Sequence, residues 1–243
     1  MLGNTLILFL TSLFGGLAVY LLPKLTGQQL KMPLVFAGSY LFSVTIIHIM
    51  PELFQSSAEG STIGIMVLLG FFFQYFLEFF TAGVEHGHMH KHTHDHHHST
   101  GSIYMLMIGL SVHAFLEGTL ISHPSALHSQ HDSTALLLGI VLHKVPAAFA
   151  LMSVLTCEFS KRTVPVVLLV VFSVMSPAGL ISGDFIPLSE NGVILLFAFV
   201  SGNFLHISTT IFIESSPEHS WSWPKVVISV LGALFAIAAE MMF

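Results

Sequence analysis

Eight apolar runs fall at 4–22, 33–54, 62–84, 102–122, 134–157, 163–182, 191–213 and 224–242. Each is about 20 residues long, roughly the length that crosses a hydrocarbon core. In lipid, backbone amides must be satisfied within their own segment, so runs of this kind fold as helices. Only 8% of the chain is charged and mean hydropathy is +0.83, whereas a soluble domain carries roughly a quarter charged residues. The sequence therefore predicts an all-α integral membrane protein, with residues 1–243 forming one eight-helix transmembrane unit. Thr5 to Leu22 lacks a preceding basic region and reads as a first helix rather than a cleaved signal peptide. Cys157 is the one cysteine, so no intrachain disulfide is expected. No basic stripe is present, which argues against a nucleic-acid partner.

The basic residues set the topology. Lys24 and Lys31 lie between the first and second runs, and Lys91 between the third and fourth. Lys161 and Arg162 lie between the fifth and sixth, and Lys225 opens the eighth. The alternate connections 55–61, 123–133 and 183–190 hold no Lys or Arg. By the positive-inside rule the basic loops are cytoplasmic and both termini are outside. The strings Gly38-Ser39-Tyr40-Leu41 and Gly202-Asn203-Phe204-Leu205 lie on the second and seventh runs, ahead of Pro51-Glu52 and Pro217-Glu218. Those two runs have opposite orientations, as in an inverted-repeat transporter. The expected architecture is a 3+2+3 inverted-repeat helical bundle.

Two polar strings interrupt the apolar pattern: His113-Ala114-Phe115-Leu116-Glu117-Gly118 on the fourth run and His143-Lys144-Val145-Pro146 on the fifth. Intramembrane Asp or Lys costs roughly 2.5–3.5 kcal/mol on insertion scales, so such groups mark function. His113 and Glu117 are four apart and share one helical face, and His143 on the next helix supplies a third ligand. Two imidazoles and a carboxylate suit Zn²⁺, and also Fe²⁺, Co²⁺, Ni²⁺ or Mn²⁺. The simpler role for the same residues is a hydrogen-bonded tie between helices. Lys144 lies about ten residues into its helix, too deep to snorkel easily. Glu117 is its expected partner, and its ammonium then takes the place of a second cation. Pro146 and Pro177 each remove a backbone hydrogen bond and should kink their helices beside the site.

These residues resemble the ZIP (Zrt/Irt-like protein) family of divalent-metal transporters. His113, Glu117 and Gly118 match the family's His-x-x-x-(Asp/Glu)-Gly motif, and His143 with Pro146 match its fifth helix. Ser176-Pro177-Ala178-Gly179, Pro51-Glu52, and Glu214 with Pro217 are similar to the family's sixth, second and seventh helices. Many members carry Asn where this chain has Ala114, and further ligands where it has Lys144, Ala147 and Ala148. The His-Lys pair followed by Phe149 is closer to the branch expected to hold one metal beside a lysine. The resemblance implies movement of the ion into the cytoplasm. It also implies a rocking or elevator-like shift of helices one, four, five and six against two, three, seven and eight. A cell membrane, inner or plasma, is the expected location, with metal ion and lipid as partners. The oligomeric state stays open, a homodimer included. No catalytic cofactor is expected.

Between the third and fourth helices, 85–101 forms a histidine-rich cytoplasmic loop. His86, His88, His90, His92, His94, His96, His97 and His98 supply half of the sixteen histidines. Such a tract binds Zn²⁺ readily and cannot pack a core; the simpler reading is a solvated linker. His48 lies four residues before Glu52 and, with His123, His128, His131 and Asp132, suggests an outer relay for metal. His206 and Glu214 suggest an exit relay. Glu78 is a further intramembrane acid without an assigned partner, and Phe71 to Phe80 reads as lipid-facing or interhelical packing. Two other functions fit the ligand set: an intramembrane zinc hydrolase and a metal sensor without flux. No second carboxylate is positioned as a general base, which disfavours the hydrolase.

Overall fold

The computed structural model describes residues 2–22, 27–81, 100–122, 133–185, 188–214 and 223–242. The helices are α1 (Leu2–Leu21), α2 (Gly27–Val44), a π-turn (Thr45–Ile49), α3 (Met50–Gln55), α4 (Gly60–Thr81), α5 (Thr100–Ile121), α6 (Ser133–Glu158), α7 (Thr163–Phe185), α8 (Glu190–Glu214) and α9 (Trp223–Met242). The described residues contain no strand. α2, the π-turn and α3 run on as one span, giving eight helices long and apolar enough to cross a membrane. They match the eight apolar runs one for one. The histidine-rich segment 85–98 and the residues His123, His128, His131 and Asp132 lie outside the described residues.

The second span differs from the continuous helix expected over 33–54. Pro51 has no N–H, and its ring would meet the carbonyl four residues back in a regular helix. The chain widens just before it, and the Met50 N–H donates to the Thr45 carbonyl five residues back. Such widened turns are rare and gather at functional sites. Here the turn contains His48.

Helix packing divides the molecule into two groups. α1, α5, α6 and α7 pack on one another, with α5 along α7 and α6 along α1. α2–α3, α4, α8 and α9 form the other group, with α4 along α8 and α2 along α9. Glycines let backbones touch inside each group. A Cβ at Gly118 or Gly179 would fall inside the backbone of the partner helix, α7 or α5, and one at Gly70 or Gly202 inside that of α8 or α4. A Cβ at Gly15 would lie 2.9 Å from the Val145 carbonyl, and one at Gly232 2.6 Å from that of Phe36. Close approach through small residues is the usual basis of helix association in membranes. Between the groups the contact is different: Gly139 of α6 faces the Tyr40 ring and a Leu41 methyl of α2, both side chains.

The seam between the groups is apolar at both ends. Leu41, Leu53, Ile63, Leu120, Leu136, Ile140, Phe197 and Phe204 cluster at one end. Leu34, Val35, Phe149, Ile207 and Ile211 cluster at the other. The outer faces are apolar too, with Phe72, Tyr75, Phe76 and Phe79 exposed along α4, while Phe71 and Phe73 turn inward against His206 and Phe199. Both expected roles of the Phe-rich stretch are therefore present.

Adding a methyl at Gly70 or Gly202 forces two backbones apart. Gly70→Ala or Gly202→Ala should lower the thermal midpoint of detergent-solubilised protein, at a cost of about 1–3 kcal/mol. Gly64→Ala, whose Cβ meets nothing within 4 Å, should cause no loss. Equal midpoints for all three would refute the close-packed interface.

Candidate metal centre

One helical turn separates His113 from Glu117 on α5, and His143 approaches from α6. The ligand atoms of His113, Glu117 and His143 lie within 4.8 Å of one another. His113 Nε2 is 2.9 Å from Glu117 Oε1, and His143 Nε2 is 2.5 Å from the same oxygen. The other carboxylate oxygen, Oε2, accepts from the Lys144 ammonium. That ammonium also lies 5.7 Å from the centre of the Phe172 ring. All four side chains are buried, at 6% for His113, 0% for Glu117, 5% for His143 and 2% for Lys144. Glu117 is thus the partner of Lys144, as the spacing suggested.

The protonation of His143 follows from its neighbours. Nδ1 lies 2.9 Å from the Gly139 carbonyl, an acceptor, so Nδ1 carries the hydrogen. Nε2 then presents a lone pair to a carboxylate oxygen in the neutral ring. Two acceptors this close need a positive species between them, either a proton or a metal ion. A backbone carbonyl on the far ring nitrogen is the usual device that orients a metal-ligating histidine.

The helices that carry these groups are held from behind. Gly118 follows Glu117 directly, and a side chain there would strike the Ser176 carbonyl of α7. Gly179 makes the reciprocal approach to Phe115, and Ser176 Oγ donates to the Ala114 carbonyl at 2.7 Å. The Ser176-Pro177-Ala178-Gly179 string therefore locks α7 against the ligand-bearing turn of α5. Gly15 of α1 does the same behind Val145. This role for the motif glycines was not evident from the sequence, because spacing alone does not say which backbone lies opposite. The cavity at the centre is lined by Leu110, His113, Glu117, His143, Lys144, Ala147, Phe172, Ile207 and Ile211. α5 and α6 give the polar side of it, α7 gives Phe172, and α8 gives two isoleucines.

Other sequence-predicted residues lie away from this centre. His48 Nδ1 is 2.7 Å from Glu240 Oε1 of α9, a partner that sequence spacing did not indicate. Glu52 lies on α3, one turn beyond His48. His206 Nε2 is 3.3 Å from Glu78 Oε2 of α4, and its ring meets those of Phe71 and Tyr75. The intramembrane acid Glu78 thus has His206 as its neighbour. Glu214 closes α8, and its side chain lies outside those described.

A family model described as "ZIP Zinc transporter" matches residues 85–239, more than half of the chain. The chain belongs to the ZIP zinc transporter family. It is therefore an integral, multi-pass membrane protein and a transporter of divalent metal ions. The family is one of transporters rather than enzymes, in keeping with the reading that disfavoured a hydrolase.

A buried ammonium left without its anion is costly, about 3–5 kcal/mol for one broken partner. Glu117→Gln should therefore destabilise metal-free protein strongly. Adding Lys144→Met to that variant should recover much of the loss. A double variant as unstable as the sum of its singles would show that the two groups do not depend on one another.

Proposed function

We propose that this ZIP-family transporter carries Zn²⁺ or a similar divalent ion into the cytoplasm, through one site formed by His113, Glu117 and His143. The observation that carries the reading is the convergence of three buried ligand atoms from α5 and α6 on one point. Two imidazole nitrogens and one carboxylate oxygen suit Zn²⁺, with Fe²⁺, Co²⁺, Ni²⁺ and Mn²⁺ as further cargo. Gly139 fixes the His143 ring, leaving Nε2 for the ion. The positive-inside pattern favours both termini outside, which makes the end near Leu53, Leu120 and Leu136 the outer end.

One ion occupies the site. Glu117 Oε1 faces both imidazoles, whereas Oε2, the atom that would bridge to a second ion, is taken by Lys144. Ala114, Ala147 and Ala148 offer no ligand in its place. The ammonium repels a second cation at low dielectric.

The ion moves as α1, α5, α6 and α7 shift against α2–α3, α4, α8 and α9. Backbone contacts through glycine within each group, and side-chain contacts between them, support two rigid bodies with a sliding seam. The repeat reading draws support from the pairing of the helices: α1 with α6 and α5 with α7 in one group, α2 with α9 and α4 with α8 in the other. His48 with Glu52 serves the outer path and His206 the inner one. The histidine-rich loop collects cytosolic metal and is not needed for flux.

Alanine at His113 or His143, with normal membrane insertion, and at Glu117, where the unpaired Lys144 also lowers stability, should reduce Zn²⁺ uptake by reconstituted vesicles about tenfold or more. Wild-type uptake by Glu117→Ala would sink the assignment, and a protein that binds Zn²⁺ without any flux would be a sensor. Zn²⁺ bound by protein lacking the loop histidines should approach one equivalent, and Lys144→Glu should admit a second. Two tightly held ions in the wild type would contradict the role given to Lys144.

A further inference from the structure

Asn203 is fully buried on α8, and neither its amide nitrogen nor its amide oxygen has a hydrogen-bond partner. That is unusual for an intramembrane asparagine, which ordinarily bonds across to a neighbouring helix. Of the nearby polar groups on α8, Ser208 Oγ is likewise without a partner, whereas others bond to backbone. Ser201 Oγ donates to the Phe197 carbonyl, and Thr209 Oγ1 to that of Leu205. In the similar string on α2, Ser39 Oγ donates to the Ser229 carbonyl. Buried polar groups without partners call for a specific explanation, a water or an ion among them.

Position on the helix supplies one. Residues four apart stack along one face, so Asn203, Ile207 and Ile211 form a stripe on α8. Ile207 and Ile211 line the central cavity with His113, Glu117, His143 and Lys144. Asn203 lies one turn nearer the start of α8. The next residue, Phe204, sets its ring 6.5 Å from that of His143. Asn203 is not itself among the lining residues; it lies one turn beyond Ile207 on the stripe that reaches the cavity, beside the residue that meets His143. α8 belongs to the opposite helix group from the three ligands.

We infer that Asn203 is a contact of the transported ion on the second helix group, its amide oxygen binding the divalent cation or a water that the cation carries. This rests on the transport reading above. Three ligands leave a tetrahedral Zn²⁺ one position short. A neutral amide oxygen completes a shell without adding an anion, so it aids passage and does not trap the cargo. It also gives the second helix group a polar group to offer as the ion moves along the seam.

The test uses full-length protein in vesicles and in detergent, with Zn²⁺ as the probe. Asn203→Leu has a similar volume and no polar atom. It should raise the Zn²⁺ concentration for half-maximal uptake about tenfold. It should also shrink the Zn²⁺-induced rise in melting temperature without lowering the metal-free midpoint. Asn203→Asp keeps an oxygen and adds charge, so half-saturation should fall below the wild-type value. If Asn203→Leu melts higher without metal and keeps wild-type half-saturation, the amide is a packing defect and the inference fails. Should that variant not fold, unchanged half-saturation in Asn203→Asp overturns it. Failure of the transport reading looks different: the wild type would then show neither uptake nor a Zn²⁺-dependent shift, and Glu117→Ala would match it.

Discussion

A single carboxylate governs the centre of this protein. Glu117 is fully buried, and an ionised group in such a place is tolerable only if it is paired and hydrogen-bonded. Its two oxygens divide the work. Oε2 holds the Lys144 ammonium, and Oε1 meets two imidazoles. The pairing ties α5 to α6, and the glycines behind each of these helices follow from it. The turn that carries Glu117 has backbone rather than side chain at its back. Gly118 and Gly179 bring α7 to α5, and Gly15 brings α1 to α6. Backbone contacts thus join α7 and α1 to the two helices that hold the charge.

The other four helices enclose that body without sharing its charges. Leu41, Ile63, Leu120 and Phe197 close the seam at one end, and Leu34, Phe149, Ile207 and Ile211 close it at the other. The polar centre lies between these two apolar zones. The seam is built of side chains, whereas Gly70, Gly118, Gly179 and Gly202 bring backbones together inside each group. Inside the groups most close glycines meet backbone, with Gly16 against the Leu169 side chain and Gly38 against that of Ile211 as exceptions.

Much of this was legible in the sequence. Apolar runs of spanning length fixed eight helices, because lipid leaves no other solution for the backbone. The four-residue spacing of His113 and Glu117 fixed their shared face, and the depth of Lys144 demanded an anion that Glu117 alone could offer nearby. Partnerships between distant helices were not legible. Glu240 pairs with His48 and Glu78 with His206, yet nothing in the local spacing of these residues names the other. The π-turn escaped for a related reason: Pro51 signals a disturbance, but whether the helix kinks, stops or widens depends on what packs beside it. The unpartnered amide of Asn203 is a property of the folded environment, and no pattern of residues announces it.

The lysine also bears on how tightly a site of this kind holds its cargo. An ion bound at Oε1 meets a carboxylate half-neutralised through Oε2, so its attraction is weaker than that of a free carboxylate. Binding does not require the ammonium to leave, since the two cations use different oxygens. When the ion departs, Lys144 is already in place and no bare charge is exposed in the low-dielectric interior. A bridging pair of metal ions would lack this property, because losing one would leave the carboxylate short of a counter-charge until water or another ion arrived. In the transport reading proposed above, the tethered cation would keep the empty site electrostatically complete, so that a buried carboxylate could be loaded and unloaded repeatedly.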